Sequence, residues 1–125
     1  MLKAKKESSE DYMEAILMLE MAMYGSVRSK DIANTLNVSR PSVCIALRKL
    51  RERGLVSVCD EGFIELTPSG RELAESVYDR HQILSKYLMS LGVDEHTAQE
   101  DACRIEHIIS EKSIDRIRLY MGEKE

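Results

Sequence analysis

Residues 29–50, S-K-D-I-A-N-T-L-N-V-S-R-P-S-V-C-I-A-L-R-K-L, constrain the fold more than any other stretch of the chain. They hold two short helical patterns, each with its own start signal. Ser29 can cap the first, with Ile32, Ala33 and Leu36 on one side. Asn37 and Val38 make the turn. Ser39 can cap the second, in which Val43, Leu47 and Leu50 fall at i, i+4 and i+7. A serine at such a position accepts a backbone N–H that the helix itself cannot use. Residues three and four apart share one face. Two capped helices joined this tightly read as a helix-turn-helix.

The flanking sequence extends that reading. Gly54 ends the second helix. L-V-S-V-C and F-I-E-L then form two short strands across a D-E-G turn, a β-hairpin. Upstream, Ser8 or Ser9 caps a first helix with two apolar stripes: Tyr12, Ala15, Ile16, Leu19 and Met23, and then Met13, Leu17 and Met21. A helix apolar on two sides is packed between neighbours. Downstream, Thr67-Pro68 opens a long helix that Gly92 closes. Asp94 caps another, with Ala98, Ala102, Ile105, Ile108 and Ile109 inward, and Ser113 caps a last short one carrying Ile114, Ile117 and Leu119. The expected fold is mainly α: a winged helix-turn-helix of three helices plus a two-stranded hairpin over residues 1–70, then a helical domain over 71–125. With 43% apolar residues the chain can bury a core, and 32% charge keeps it in solution.

The net charge of −4 argues against a nucleic-acid partner until its distribution is considered. Residues 25–59 carry seven basic side chains against two acidic ones, whereas residues 61–125 carry eight basic and fourteen acidic. A basic module joined to an acidic one fits a DNA reader with a separate attached function. On the second helix of the pair, the outward residues are Arg40, Pro41, Ser42, Cys44, Ile45, Arg48 and Lys49. Arg40 suits a guanine edge or a phosphate, and Ser39 and Ser42 suit phosphates or bases. Arg48, Lys49, Arg51 and Arg53 suit the backbone, and Arg28 upstream is a further candidate for DNA contact. The wing tip, Asp60-Glu61-Gly62, is acidic and should contact DNA little.

Two further motifs point to a metal. E-D-Y-M-E places Asp11 and Glu14 one helical turn apart, and D-A-C-R-I-E-H places Cys103, Glu106 and His107 at i, i+3 and i+4. Carboxylate, thiolate and imidazole on helix faces are ligands for a divalent transition metal. His81, in D-R-H-Q-I-L, is a further candidate. Each residue alone has an ordinary structural reading, since a lone helical His is commonly hydrogen-bonded and a Cys among apolar neighbours commonly packs in a core.

These motifs, with L-T-P-S-G-R-E-L-A and L-G-V-D, give the chain a resemblance over nearly all of residues 8–121 to the diphtheria toxin repressor and manganese transport regulator family. The resemblance implies a metal-activated, homodimeric transcriptional repressor, with the helical domain serving dimerisation. By motif match, Asp11 and Glu14 occupy ligand positions of the manganese regulators. His81, Glu106 and His107 match ligand positions across the family. Cys103 looks like the toxin-repressor branch, so the donor set is a hybrid. Ser85 and Gln99 stand where that branch has the acid and the histidine of an ancillary site, which argues against that site here. The implied cofactor is Mn(II) or Fe(II), with Mn(II) favoured by the oxygen donors. The implied partner is double-stranded DNA bearing a palindromic operator near metal-uptake genes. The SH3-like domain of longer relatives is not expected.

The first ten residues have no apolar h-region, and no run approaches the roughly 20 apolar residues of a membrane span. A cytoplasmic protein without membrane contact is expected. Cys44, Cys59 and Cys103 show no C-x-x-C spacing, against both a disulfide scaffold and a zinc knuckle. No phosphate loop or oxyanion-type turn is present, so no enzyme and no small organic ligand is expected. The rival reading is a winged-helix regulator that senses oxidation or a small ligand through Cys103 without metal.

Overall fold

The computed structural model describes residues 9–124. The elements run α1 (Ser9–Met23), α2 (Ser29–Leu36), α3 (Arg40–Glu52), β1 (Val56–Val58), β2 (Ile64–Leu66), α4 (Pro68–Ser90), α5 (Glu95–Ile105) and α6 (Glu111–Lys124). They form two compact units, and the division falls within α4, between Glu75 and Ser76.

In the first unit α1, α2 and α3 pack on one another, and the hairpin packs beside them. Asn37 adopts φ 57° and ψ 48°, and Val38 N–H donates to the Ala33 carbonyl, which closes the turn between α2 and α3. Asn tolerates this left-handed conformation better than most residues. Ser39 caps α3 as expected, accepting from Ser42 N–H at 3.2 Å. Val43, Leu47 and Leu50 are buried beneath it with Tyr12, Met13, Ile16 and Ile32. Each such side chain contributes about 1.5–3 kcal/mol of burial. β1 and β2 pair antiparallel, Val56 opposite Leu66. Glu20 fastens α1 to the far end of this unit: one carboxylate oxygen accepts from Leu66 N–H at 3.1 Å and the other meets Arg71 at 2.6 Å.

Gly70 has the tightest surroundings of the described glycines. A Cβ built on it would lie 1.9 Å from the Leu55 carbonyl oxygen, and Met13 stands on the same side. Thr67 completes the junction, its hydroxyl donating to the Gly54 carbonyl and accepting from Gly70 N–H. The obstacle to a side chain is backbone, which cannot swing aside. Gly70→Ala should therefore destabilise the first unit by about 2–3 kcal/mol. Thermal melting checks this, and a variant as stable as the parent would mean the α4 start is not locked to Leu55.

The second unit is built on Leu84, Ala102 and Ile114, with Ile83, Ile105, Ile109 and Ile117 packed around them. Asp94 caps α5 by accepting from Thr97 N–H at 3.0 Å, and that bond holds its carboxyl below the ordinary Asp range. Asp79 and Arg118 form an ion pair, and Tyr87 meets Tyr120 edge-on at 6.0 Å.

Several expectations are corrected. α1 already includes Ser9, so Ser9 is not its cap, and Ser8, the other candidate, lies outside the described residues. Met21 is 56% exposed, so the second apolar stripe of α1 is packed only through Met13 and Leu17. Ser29 is the first residue of α2 rather than its cap. Arg28 takes the cap position, and its N–H donates to the Asp31 carboxylate at 2.9 Å. α5 stops at Ile105, so the periodicity that would bury Ile108 does not continue, and Ile108 is 83% exposed. Ser110, not Ser113, caps α6, accepting from Ser113 N–H at 3.2 Å. Leu119 faces outward on α6.

Candidate metal centre and nucleic-acid interface

In the second unit, His81 on α4, Gln99 and Cys103 on α5, and Glu106 and His107 in the turn after α5 lie close together. His81 Nδ1 stands 3.1 Å from Glu106 Oε2, and Nε2 stands 2.5 Å from Gln99 Oε1. The Cys103 sulfur and a Glu106 oxygen lie within 4.8 Å of each other. His107 Nε2 is 3.6 Å from Glu106 Oε1. Glu106 keeps helical backbone angles at the C-cap, φ −57° and ψ −24°, which preserves its one-turn relation to Cys103 after the helix has ended. Its N–H still reaches the Ala102 carbonyl.

Glu106 is the centre of this group. Its exposure is 0%, and Oε1 makes no hydrogen bond among the described residues. A buried polar atom without a hydrogen bond costs on the order of 1–3 kcal/mol, more for a charged group. A cation would relieve that cost. The neighbours are a thiol and two imidazoles, which are ligand types for Fe(II) and related divalent transition metals, while the carboxylate also suits Mn(II). The residues present therefore fit a metal of this class.

In the first unit, Asp11 and Glu14 lie one turn apart on α1, Asp11 buried and Glu14 half-buried. Carboxylates are seldom buried unless paired or bound to a cation. Of the three histidines, only His96 stands apart from the group, 78% exposed beside Glu100. Gln99 is the neighbour that ligand-type reasoning misses. Its spacing of four from Cys103, which puts both on one face of α5, is the sequence signal that finds it.

The first unit also carries the candidate DNA-reading face. Arg40, Pro41, Cys44, Arg48 and Lys49 on α3, and the Ser39 cap, are exposed, and Ser42 is half-buried. Ser39 Oγ donates to Ser42 Oγ at 2.9 Å, tying the two hydroxyls together at the helix start. A cavity of about 450 Å³ opens between α1 and α3, lined by Ser9, Tyr12, Ser42, Ile45, Lys49 and Arg53. Arg28 is placed at the wing. Its guanidinium sits 4.4 Å over the Phe63 ring and donates to the Glu61 carbonyl at 3.0 Å. Arg28 therefore braces the hairpin loop while remaining exposed. Glu61, hydrogen-bonded by the Cys59 side chain, has its carboxyl held below the ordinary range, which keeps the wing tip anionic.

Comparisons with known proteins agree with both halves. A family model described as the iron dependent repressor, N-terminal DNA binding domain, matches residues 6–62. A second, the iron dependent repressor metal binding and dimerisation domain, matches residues 67–125. The transcriptional regulator MntR of Escherichia coli O6:H1 is 36% identical over 93% of this chain and 74% of its own length. The HTH-type transcriptional regulator MntR of Bacillus pumilus is 40% identical over 88% of this chain and 76% of its own. A solved manganese-dependent transcriptional repressor in complex with manganese superposes with a TM-score of 0.81 at 30% identity. That alignment covers 92% of this chain, which spans about half, 53%, of the solved one.

Proposed function

The chain belongs to the iron-dependent repressor family, and from that premise we propose that it is a metal-dependent DNA-binding transcriptional regulator, a repressor of metal-uptake genes activated by Mn(II) or Fe(II). The observation that carries this is the buried Glu106 carboxylate, one oxygen lacking a hydrogen bond, set among His81, Cys103 and His107 in a chain whose other unit presents a basic recognition helix. His81, Cys103, Glu106 and His107 would hold the ion, with Asp11 and Glu14 as further carboxylate ligands. The count supports the two acids, because Mn(II) takes octahedral, oxygen-rich coordination and the second unit alone offers one carboxylate. When bound, the ion supplies positive charge that neutralises these acids and fixes their positions.

The residues of the chain supply the rest. Asp11 and Glu14 lie on the helix packed against α2 and α3, so ligation there links metal occupancy to how the DNA-reading unit is held. A ligand moves such an equilibrium only by its differential affinity for the two arrangements. Ser39, Arg40, Pro41, Ser42 and Cys44 at the start of α3 would face the major groove, and Arg28, Arg48 and Lys49 the phosphates. Two copies joined through their helical units would meet an imperfect palindrome with half-sites about 34 Å apart. No described helix is long and apolar enough to cross a membrane, and a cytoplasmic location suits a DNA partner.

The test is operator binding with Mn(II) or Fe(II) present and after chelation. Binding should tighten with metal and fall back on chelation. Equal affinity in both conditions would end this reading. Metal analysis of anaerobically purified protein separates it from oxidation sensing through Cys103.

A further inference from the structure

His81 is held from both sides by oxygen. On one side is the Glu106 carboxylate, 3.1 Å from Nδ1. On the other is the Gln99 amide oxygen, 2.5 Å from Nε2. A neutral imidazole has one N–H, and it can serve only one of these acceptors. An ion on Nδ1 would leave the one ring proton on Nε2, where the nearer oxygen, that of Gln99, accepts it. The Nδ1 lone pair then faces Glu106 Oε2, and two electron-rich atoms 3.1 Å apart are what a cation bridges.

We propose that Gln99 is a positioning residue for the metal centre: it accepts the Nε2–H of His81, fixes that tautomer, and aims Nδ1 at the ion. This rests on the metal-dependent reading above and extends it to a residue that binds no metal itself. A histidine ligand works best when its second nitrogen is anchored by an acceptor, and losing that anchor typically costs about 10- to 100-fold in affinity. The local structure suits the task. Gln99 sits mid-helix on α5 and is half-buried, so its amide is held by the helix rather than by a loop. His81 is set on α4, where the Ser85 hydroxyl bonds its carbonyl at 3.1 Å. Both partners thus stand on regular helices of one compact unit.

The experiment uses the full chain with ¹⁵N-labelled histidine and ¹¹³Cd(II) as a diamagnetic probe, alongside Mn(II) titrations. In the parent protein, His81 should show the Nε2–H tautomer and a cadmium coupling at Nδ1. Gln99→Met keeps the size but removes the acceptor. It should bind Mn(II) about 10- to 100-fold more weakly and lose the single tautomer, with its melting temperature little changed. Gln99→Glu keeps an acceptor at the same reach and should retain the tautomer and most of the affinity. If Gln99→Met matches the parent in both readouts, or if Gln99→Glu loses as much as Gln99→Met, the proposal is overturned. A parent protein that takes up no cadmium or manganese would instead overturn the metal-dependent reading and this inference with it, and that result is distinct from metal binding indifferent to position 99.

Discussion

Glu106→Gln is expected to abolish the response to metal while making the metal-free protein more stable. The two effects have one source. In the parent, a fully buried carboxylate keeps one oxygen outside any hydrogen bond, a cost on the order of 1–3 kcal/mol. An amide of the same shape carries no charge. It turns its N–H toward the Nδ1 lone pair of His81 and keeps an oxygen on the side of His107, whose Nε2 is 3.6 Å from the present Oε1. The metal-free variant should therefore melt higher than the metal-free parent. Metal affinity should drop by more than about 100-fold, because even an outer-shell partner of a ligand costs 10- to 100-fold. At a metal concentration 100 times its dissociation constant the parent gains about 2.7 kcal/mol, and the variant should gain less than about 0.4 kcal/mol. The order of stability then inverts on adding Mn(II). A variant that loses the metal response and also unfolds would show Glu106 to be an ordinary core group, with its pairing to His81 structural.

How far the sequence revealed this follows from what kind of signal each feature carries. The α2–turn–α3 segment was legible because cap, turn and core positions are all local. Ser39, Asn37 and the Val43–Leu47–Leu50 row each act within a turn or two of the backbone. Thr67-Pro68 was legible for the same reason. The region after α5 was misread because a helical period was carried through residues where the helix has ended. Ile108 was thereby given a buried place, although Cys103 and Glu106 stayed together because Glu106 keeps helical angles. The serines at 110 and 113 offered the same chemistry, and only the geometry of the turn selects between them. Arg28 was legible as a cation near DNA but not as a brace for Phe63, since that contact joins residues 35 apart in sequence. Gln99 was legible only as a replacement for an ancillary-site histidine, and it was set aside because an amide is not a ligand type. Its importance lies in touching a ligand, which only folding brings about.

The basic face of α3 should divide into two classes that salt separates. Arg48 and Lys49 are exposed toward the C-terminal half of the helix, away from the Ser39 cap. Side chains there suit phosphates, and each neutralised phosphate adds about 0.9 to the slope of log affinity against log salt. Arg48→Ala with Lys49→Ala should weaken binding to all DNA sequences alike. The same pair should shrink the slope by about 1.8, so the fall in affinity between about 50 and 200 mM salt becomes roughly tenfold smaller. Arg40, at the first residue of α3, stands where a recognition helix meets base edges. Arg40→Ala should change the slope by less than 1 but cost about 1–3 kcal/mol against the preferred site, narrowing the gap to random DNA. Competition binding at several salt concentrations measures both. If Arg40→Ala weakened every sequence equally and Arg48→Ala with Lys49→Ala weakened only one, the helix would be lying in the groove the other way round, with its C-terminal half as the reading end. If neither moved affinity, the charge excess of residues 25–59 would be a solvated surface, and DNA would have to be gripped elsewhere.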